Sequence, residues 1–278
     1  MIIIADSGST KTDWIIIDGR NQVNFETKGI NPFFLDEQFV IEEIKSNFPK
    51  GYSLNQIEEV YFYGPGCSTE ERCNIVNHPI KAVFNNAKIS IESDLLAAAR
   101  AVFQKKRGIV CILGTGSNSG LYNGSVIVDN IRSTGYILGD EGSGANLGLT
   151  LIKQFLNQQL SKNVEDLFIS NFNLTVDQII DKIYRQDYPN RFLASLAPFL
   201  KQNIHIPEIN RIVEKSFLEF FDWHVLPYQN VKNESIVFVG SISVEFKDQI
   251  EFIAKSKGLR ILKYLKNPIQ ELAYYHQM

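Results

Sequence analysis

The chain has few of the residues that staple a fold or hold a metal. Among its 278 residues are three cysteines, four histidines and two methionines. Cys67, Cys73 and Cys111 show no C-x-x-C spacing and have no histidine cluster near them. That argues against a zinc or iron–sulfur site within one chain. It reads instead as free thiols in a reducing cytoplasm. His78, His205, His224 and His276 are scattered, and His224, after Asp222-Trp223, reads as a structural or surface residue. No apolar run approaches the ~18 residues of a membrane span. The opening run is stopped by Asp6 and has no basic stretch before it, so it is not expected to be a signal peptide. Excess charge is missing too. Twenty-eight Lys and Arg against 31 Asp and Glu leave a net charge of −3, which gives no general electrostatic reason to bind nucleic acid or an anionic membrane. Lys105-Lys106-Arg107 reads as a solvated strand entry. There is no G-x-x-x-x-G-K-[ST] loop and no G-x-S-x-G elbow.

What is present is a pattern that occurs twice. Near the start, Ile2-Ile-Ile-Ala5 runs into Asp6-Ser-Gly8-Ser9-Thr10-Lys11-Thr12. About a hundred residues on, Ile109-Val-Cys-Ile-Leu113 runs into Gly114-Thr115-Gly116-Ser117-Asn118. Each time a second strand follows, then a turn signal, Asp18-Gly19 or Asn123-Gly124, then a third strand. Loops of about six or seven small residues are expected between the first two strands, longer than a hairpin needs. Their amides and hydroxyls suit a polyphosphate, because successive backbone N–H groups bind anions. Gly8, Ser9, Thr10, Lys11 and Thr12 form the first candidate phosphate site. Gly114, Thr115, Gly116 and Ser117 form the second. Asp6 would be repelled by phosphate, so its expected partner is Mg²⁺, reached through water.

Strand and helix alternate through the first hundred residues. Helical spacing marks 37–48 and 69–84, with Pro79 expected to interrupt the second. Strands are expected at 58–63 and 88–92. Ser93-Asp94 then stands where a helix cap belongs, before Leu95–Phe103. Asp94 is either that cap or a general base, and local sequence favours the cap. The second half becomes mostly helical, with helices expected at 145–160, 175–184, 191–201 and 207–226. A strand at 235–239 ends in Gly240-Ser241, a helix follows to about 255, and a last strand at 260–264 precedes a helix started by Pro268. Gly139-Asp140-Glu141-Gly142-Ser143-Gly144 opens a helix. It reads as helix-start amides for an anion, with carboxylates for sugar hydroxyls, or as a plain polar loop. Its glycine spacing misses the dinucleotide pattern by one place.

In this order the motifs resemble the actin-like sugar kinase superfamily, and within it the N-acetylglucosamine kinase branch, which is grouped with the BadF/BadG/BcrA/BcrD-type ATPases. The resemblance spans essentially the whole chain. Asp6–Asp13 and Leu113–Asn118 resemble the two phosphate motifs, and Ser93–Ala98 the segment with the catalytic aspartate. Gly139–Ser143 resembles the sugar-side loop, and Val239-Gly240-Ser241 the adenosine motif. Asn31, in Gly29-Ile-Asn-Pro32, falls where amino-sugar kinases place a sugar-contacting asparagine. The resemblance implies an α/β chain of two ribonuclease-H-like, actin-like ATPase domains with a nucleotide cleft between them. The expected domains are 1–104 with the C-terminal helix 267–278, and 105–266. It implies ATP and Mg²⁺ as cofactors, Asp94 as base, Gly240 and Ser241 at the adenosine, and Asn31, Asn118, Asp140 and Glu141 at the sugar. The expected activity is phosphorylation of an amino sugar, most simply N-acetylglucosamine at its 6-hydroxyl, by a cytoplasmic enzyme for which a homodimer is one assembly. The alternatives are an ATPase that activates a redox partner and a non-catalytic sensor of amino sugar or muropeptide.

Overall fold

The computed structural model describes residues 1–32 and 35–278. They divide into two compact units, one of Met1–Arg107, Tyr122–Ile127 and Asn267–Met278, the other of Gly108–Leu121 and Val128–Lys266.

The first unit is built on β1 (Ile2–Ser7), β2 (Lys11–Asp18), β3 (Asn21–Lys28), β4 (Glu59–Gly64) and β5 (Lys88–Ser93). Their order is β3-β2-β1-β4-β5. The β1–β2 and β2–β3 pairs are antiparallel, and β4 and β5 continue parallel to β1. Ile3, Ile4 and Ala5 of the central strand are fully buried, as expected for a strand covered on both faces. The helices are α1 (Glu37–Asn47), α2 (Glu70–Val83), α3 (Asp94–Phe103) and a C-terminal helix (Ile269–Gln277). Pro79 does not interrupt α2. Val76, Pro79, Ile80 and Val83 form one buried stripe that holds the helix down. The carbonyl that Pro79 leaves unpaired belongs to Ile75, a residue 40% exposed, where water can reach.

The second unit repeats the plan. Its strands are β6 (Gly108–Leu113), β7 (Ser117–Tyr122), β8 (Ile127–Ile131), β9 (Ile236–Val239) and β10 (Ile261–Leu265). The order β10-β9-β6-β7-β8 is that of the first sheet read from its other edge, and β9 and β10 run parallel to β6. Around it lie α4 (Gly135–Leu138), α5 (Gly144–Leu156), α6 (Lys162–Phe172), α7 (Val176–Tyr184), α8 (Pro189–Ala194), α9 (Ala197–Gln202), α10 (Pro207–Phe220), α11 (Ser241–Glu245) and α12 (Lys247–Ser256). The helix expected over 191–201 is two helices, because Pro198 cannot donate to the carbonyl of Ala194. The one expected over 207–226 stays α-helical only to Phe220 and widens into a π-turn, Phe221–Val225. The spacing does not predict α6, whose buried stripe is only Val164 and Phe168.

Both glycine-rich loops are shorter than expected. Strand pairing runs up to Ser7↔Thr12, so the first loop is residues 8–10, closed by Gly8 N–H donating to Lys11 O at 2.8 Å. The second is residues 114–116, closed by Gly114 N–H donating to Gly116 O at 3.0 Å. Each is a tight corner between strands rather than an open loop.

Candidate active site

In the first unit β1, β4 and β5 are parallel, so their carboxyl ends share one edge of the sheet. Ligands of open α/β sheets sit at such an edge. Here it carries the 8–10 corner, the 64–67 loop and Asp94. The corner leaves the N–H groups of Ser9 and Thr10 outside the strand ladder. The Gly29–Asn31 segment is laid against it. Gly29 N–H donates to Thr10 O at 3.0 Å, and Ile30 N–H donates to Ser7 Oγ at 2.9 Å. A β-carbon on Gly29 would stand 2.3 Å from Gly8 O, so only glycine allows this approach. Asn31 is thereby brought beside the first corner, although about twenty residues separate them.

Two residues expected at the phosphates are engaged elsewhere. Thr12 is fully buried, with its hydroxyl bonded to Ser7 Oγ at 2.8 Å and Lys28 O at 3.2 Å. Lys11 sits on β2 with its ammonium 2.8 Å from Asp13 and 2.7 Å from Glu26. Strand register explains that choice. Asp6 lies opposite Asp13, and Asp13 opposite Glu26, so three carboxylates form a row on one face. Burial pushes the Asp6 carboxyl up to about 7, helped by the charges of Asp94 and then Asp13, with Lys11 pulling the other way. Such a row favours a cation. Among the described residues no three His, Cys, Asp or Glu side chains could hold a metal ion. Lys11 already answers two of the three carboxylates, which leaves Asp6 as the one whose carboxyl burial and the row raise.

Asp94 is not the cap of α3. Ser93 is, with its hydroxyl accepting from Leu96 N–H at 3.2 Å. Asp94 is the first helical residue, and its Oδ1 accepts from Leu95 N–H at 2.8 Å. The local reading favoured Asp94 itself as the cap, and the structure gives that place to its neighbour. The helix start favours the negative charge of Asp94.

In the second unit the same edge carries the 114–116 corner and Gly240. Gly240 has φ +111°, and a β-carbon there would stand 2.4 Å from Leu113 O. Positive φ and contact with backbone both require glycine. Ser241 follows as the first residue of α11. Ser117 Oγ is buried and has no hydrogen-bond partner, an orphan hydroxyl at the end of the corner. Asn118 Oδ1 accepts from Asn130 Nδ2 at 3.0 Å and from Ser119 N–H at 2.9 Å, which leaves its own amide nitrogen to offer.

The start of α5 is not the anion site that the sequence suggests. Gly144 and Ala145 donate their N–H groups to Gly114 O at 2.9 Å and Thr115 O at 3.1 Å. Asn146 N–H goes to the cap, Ser143 Oγ. The helix start is spent on holding the corner. Asp140 braces the same corner. Its Oδ1 accepts from Ser133 Oγ at 2.9 Å, the Ser117 N–H also points to its carboxylate, and its Oδ2 would be 2.9 Å from a β-carbon on Gly116. Burial raises its carboxyl above the usual range, while those two donors pull it down.

Three further residues serve this loop; the sequence reading gives Ser133 and Ser216 no role and has His224 as structural or surface. Ser133 is one. Ser216 lies in the buried stripe of α10, where its hydroxyl accepts from Gly142 N–H at 3.0 Å and donates to Asn146 Oδ1 at 2.6 Å. A lone serine in an apolar stripe was the visible signal. His224 is neither surface nor idle, for its Nε2 is 2.9 Å from Glu141 Oε2 and both side chains are buried.

No family profile matches the sequence. Over 153 residues the chain is 28% identical to the N-acetylmuramic acid/N-acetylglucosamine kinase of Clostridium acetobutylicum. The match covers 53% of this chain and half the length of that curated relative. A crystal structure of a candidate N-acetylglucosamine kinase from Porphyromonas gingivalis is 38% identical, with 99% of this chain and 98% of that one covered at a TM-score of 0.93. A glucokinase of the ROK family from Streptomyces griseus, solved with glucose and AMPPNP, shares the fold at a TM-score of 0.56 and 14% identity, over 95% of this chain and 93% of that one.

Proposed function

The chain belongs to the N-acetylglucosamine kinase family of actin-like sugar kinases, and we propose that it transfers the γ-phosphoryl group of ATP to the 6-hydroxyl of an amino sugar, N-acetylglucosamine first. The observation that carries the proposal is the placing of Asp94. The fold gives capping to Ser93 and leaves a second, part-buried carboxylate at the carboxyl edge of the sheet, near the charge of Asp6. Ser93 fills the cap, and Asp94 accepts from Leu95 N–H at 2.8 Å as the first helical residue. Asp94 would orient the sugar hydroxyl and accept its proton.

Phosphoryl transfer asks the protein for position and charge more than for covalent chemistry. The N–H groups at Ser9, Thr10, Thr115 and Gly116 and the orphan Ser117 hydroxyl would hold phosphate oxygens. Asp6 would hold Mg²⁺ through water, and that ion, bound with ATP, supplies charge for the β- and γ-phosphates. Gly240 and Ser241 would meet the adenosine. Asn31, Asn118, Asp140 and Glu141 would hold the sugar. Asp140 can brace the corner and accept a hydroxyl at once, since a carboxylate has about four acceptor positions.

The test is an ADP-release screen over glucosamine, N-acetylglucosamine, N-acetylmannosamine, N-acetylmuramic acid and glucose. NMR of the product would then locate the phosphate. Sugar-dependent ADP release with phosphate on O6 is expected. ADP release that ignores every sugar would sink the proposal in favour of an ATPase. Tight ATP binding without turnover would favour a sensor.

A further inference from the structure

We propose that His224 is a positioning residue for Glu141; the proposal rests on the amino-sugar kinase reading above. Glu141 and His224 meet at 2.9 Å, and both are more than nine-tenths buried. The second ring nitrogen, Nδ1, is also buried and has no hydrogen-bond partner. A proton on Nδ1 would bury an unpaired donor and turn a bare lone pair toward the carboxylate. The tautomer with the proton on Nε2 leaves only an unused lone pair at Nδ1 and donates to Glu141. The imidazole thus serves one contact.

The ring is held from both ends. Phe220 stacks on it at 5.4 Å and 22°. The His224 backbone carbonyl accepts from Ser119 Oγ at 2.7 Å, and that hydroxyl also pairs with Tyr228 Oη at 2.9 Å. Tyr228 Oη in turn accepts from Ile131 N–H at 3.2 Å. Ser119 stands two residues beyond Ser117, so the histidine is fastened to the strand that leaves the phosphate corner. The π-turn closes with Leu226 N–H donating to Phe221 O at 2.8 Å, five residues back. His224 lies within this turn, four residues beyond Phe220. Such turns carry poorer geometry than the α-helix and cluster at functional sites.

A plain core would gain little from this pair, because apolar residues of similar volume often serve as well or better. A carboxylate that must present its remaining oxygen to a sugar hydroxyl needs a fixed rotamer, and a single charge-assisted hydrogen bond supplies one. His224 then acts on sugar binding through Glu141 alone.

The experiment is steady-state kinetics on the full chain, with the sugar found in the screen above. In His224→Leu the sugar KM is expected to rise about 10- to 100-fold, the factor for one hydrogen bond to a charged group, with the KM for ATP within about twofold. In His224→Gln the amide nitrogen reaches the Nε2 position, and the sugar KM should return to within a few-fold of wild type. In a Glu141→Ala background, which removes the acceptor, His224→Leu should add almost nothing. Should His224→Leu fail to fold, His224→Asn replaces it, since its amide stops short of Glu141 but keeps a polar group in place. A sugar KM that stays put, a loss that His224→Gln does not rescue, or independent effects in the double variant would each overturn the assignment. If the wild type turns over no sugar, this proposal and the function above fall together. If the wild type works and the variants match it, only this one falls.

Discussion

Asp94→Asn tests the enzyme reading most directly, because the structure lets its two possible losses be sized separately. On the stability side little is removed. The cap is Ser93, and its bond to Leu96 N–H survives. Asparagine keeps an oxygen that can accept from Leu95 N–H, as Asp94 does at 2.8 Å. A charge at the helix start is lost, about 0.3–1 kcal/mol at an exposed site. Against that, Asp6 is relieved of a repelling neighbour. The two changes oppose each other, so the net loss should stay under about 1 kcal/mol. On the chemical side a general base supplies about 10²–10⁴-fold, or roughly 2.7–5.5 kcal/mol of barrier. The rate effect should therefore exceed the stability effect several-fold. Thermal melting and ADP release at saturating substrate measure both on one preparation. Ser93→Ala is the mirror experiment. It should lose about 1 kcal/mol of stability and keep kcat within a few-fold. A near-normal kcat in Asp94→Asn would refute the base. Equal rate losses in the two variants would refute it as well, by showing that the helix start and not the carboxylate matters.

The remaining predictions concern the corners and the acid limb of stability. Gly29→Ala puts a β-carbon 2.3 Å from Gly8 O, so the first corner must shift, and the KM for ATP should rise at least about tenfold, the size of one lost phosphate contact. Gly240→Ala meets Leu113 O at 2.4 Å with φ +111°; melting should show a loss beyond about 1 kcal/mol, and calorimetry a weaker ATP affinity. His276 accepts a hydrogen bond from Tyr63, whose oxygen in turn accepts from Arg100 Nη1 at 2.8 Å. Burial and then Arg100 lower its pKa to about 4. A lowered histidine gives stability above its unfolded pKa near 6.5 that is lost as pH falls toward 4. His276→Phe should flatten the melting curve in that window, and an unchanged acid limb would contradict it. Asp6 works with the opposite sign, its contribution present at low pH and lost as pH rises through about 7, so the wild-type difference isolates His276.

The order of elements was legible because periodicity changes sharply along this chain. Alternating and apolar runs such as Lys88–Ser93 and Ile236–Val239 are strands, and Leu95–Phe103 is a helix. The duplication was legible too, since each copy ends its second strand in Asp-Gly or in a turn that follows with Asn-Gly. Loop length was not. Thr12 and Ser117 look like loop residues by type, yet cross-strand pairing recruits them, and pairing depends on partners distant in sequence. The helix-start anion site failed for a similar reason. Free amides at α5 are a local expectation, whereas the carbonyls of Gly114 and Thr115 arrive from thirty residues earlier in the chain. His224 falls four residues beyond Phe220, on the buried stripe of α10, so its inward face was legible; its partner Glu141, 83 residues earlier, was not. The residues before His224, Asp222 and Trp223, are exposed, which kept a surface place open beside the structural one that the fold bears out.

The two copies have diverged in a way that fits a division of labour. In the first unit the edge is acidic. Asp6, Asp13 and Asp94 gather there, and the strain shows in an Asp6 carboxyl held near neutrality. In the second unit the matching corner, Gly114–Gly116, has no acidic residue of its own, and its first strand ends in Leu113 where the first copy has Asp6-Ser7. Its carboxylate comes instead from Asp140, folded back under the corner and satisfied by Ser133 and Ser117. One copy therefore gathers carboxylates, with Asp13 paired to Lys11 and the Asp6 carboxyl pushed up to about 7. The other offers amides and hydroxyls, suited to an anion. Duplication alone would give two equal corners. The placing of Asp6 on the first strand and of Asp140 beneath the second corner makes these two unequal.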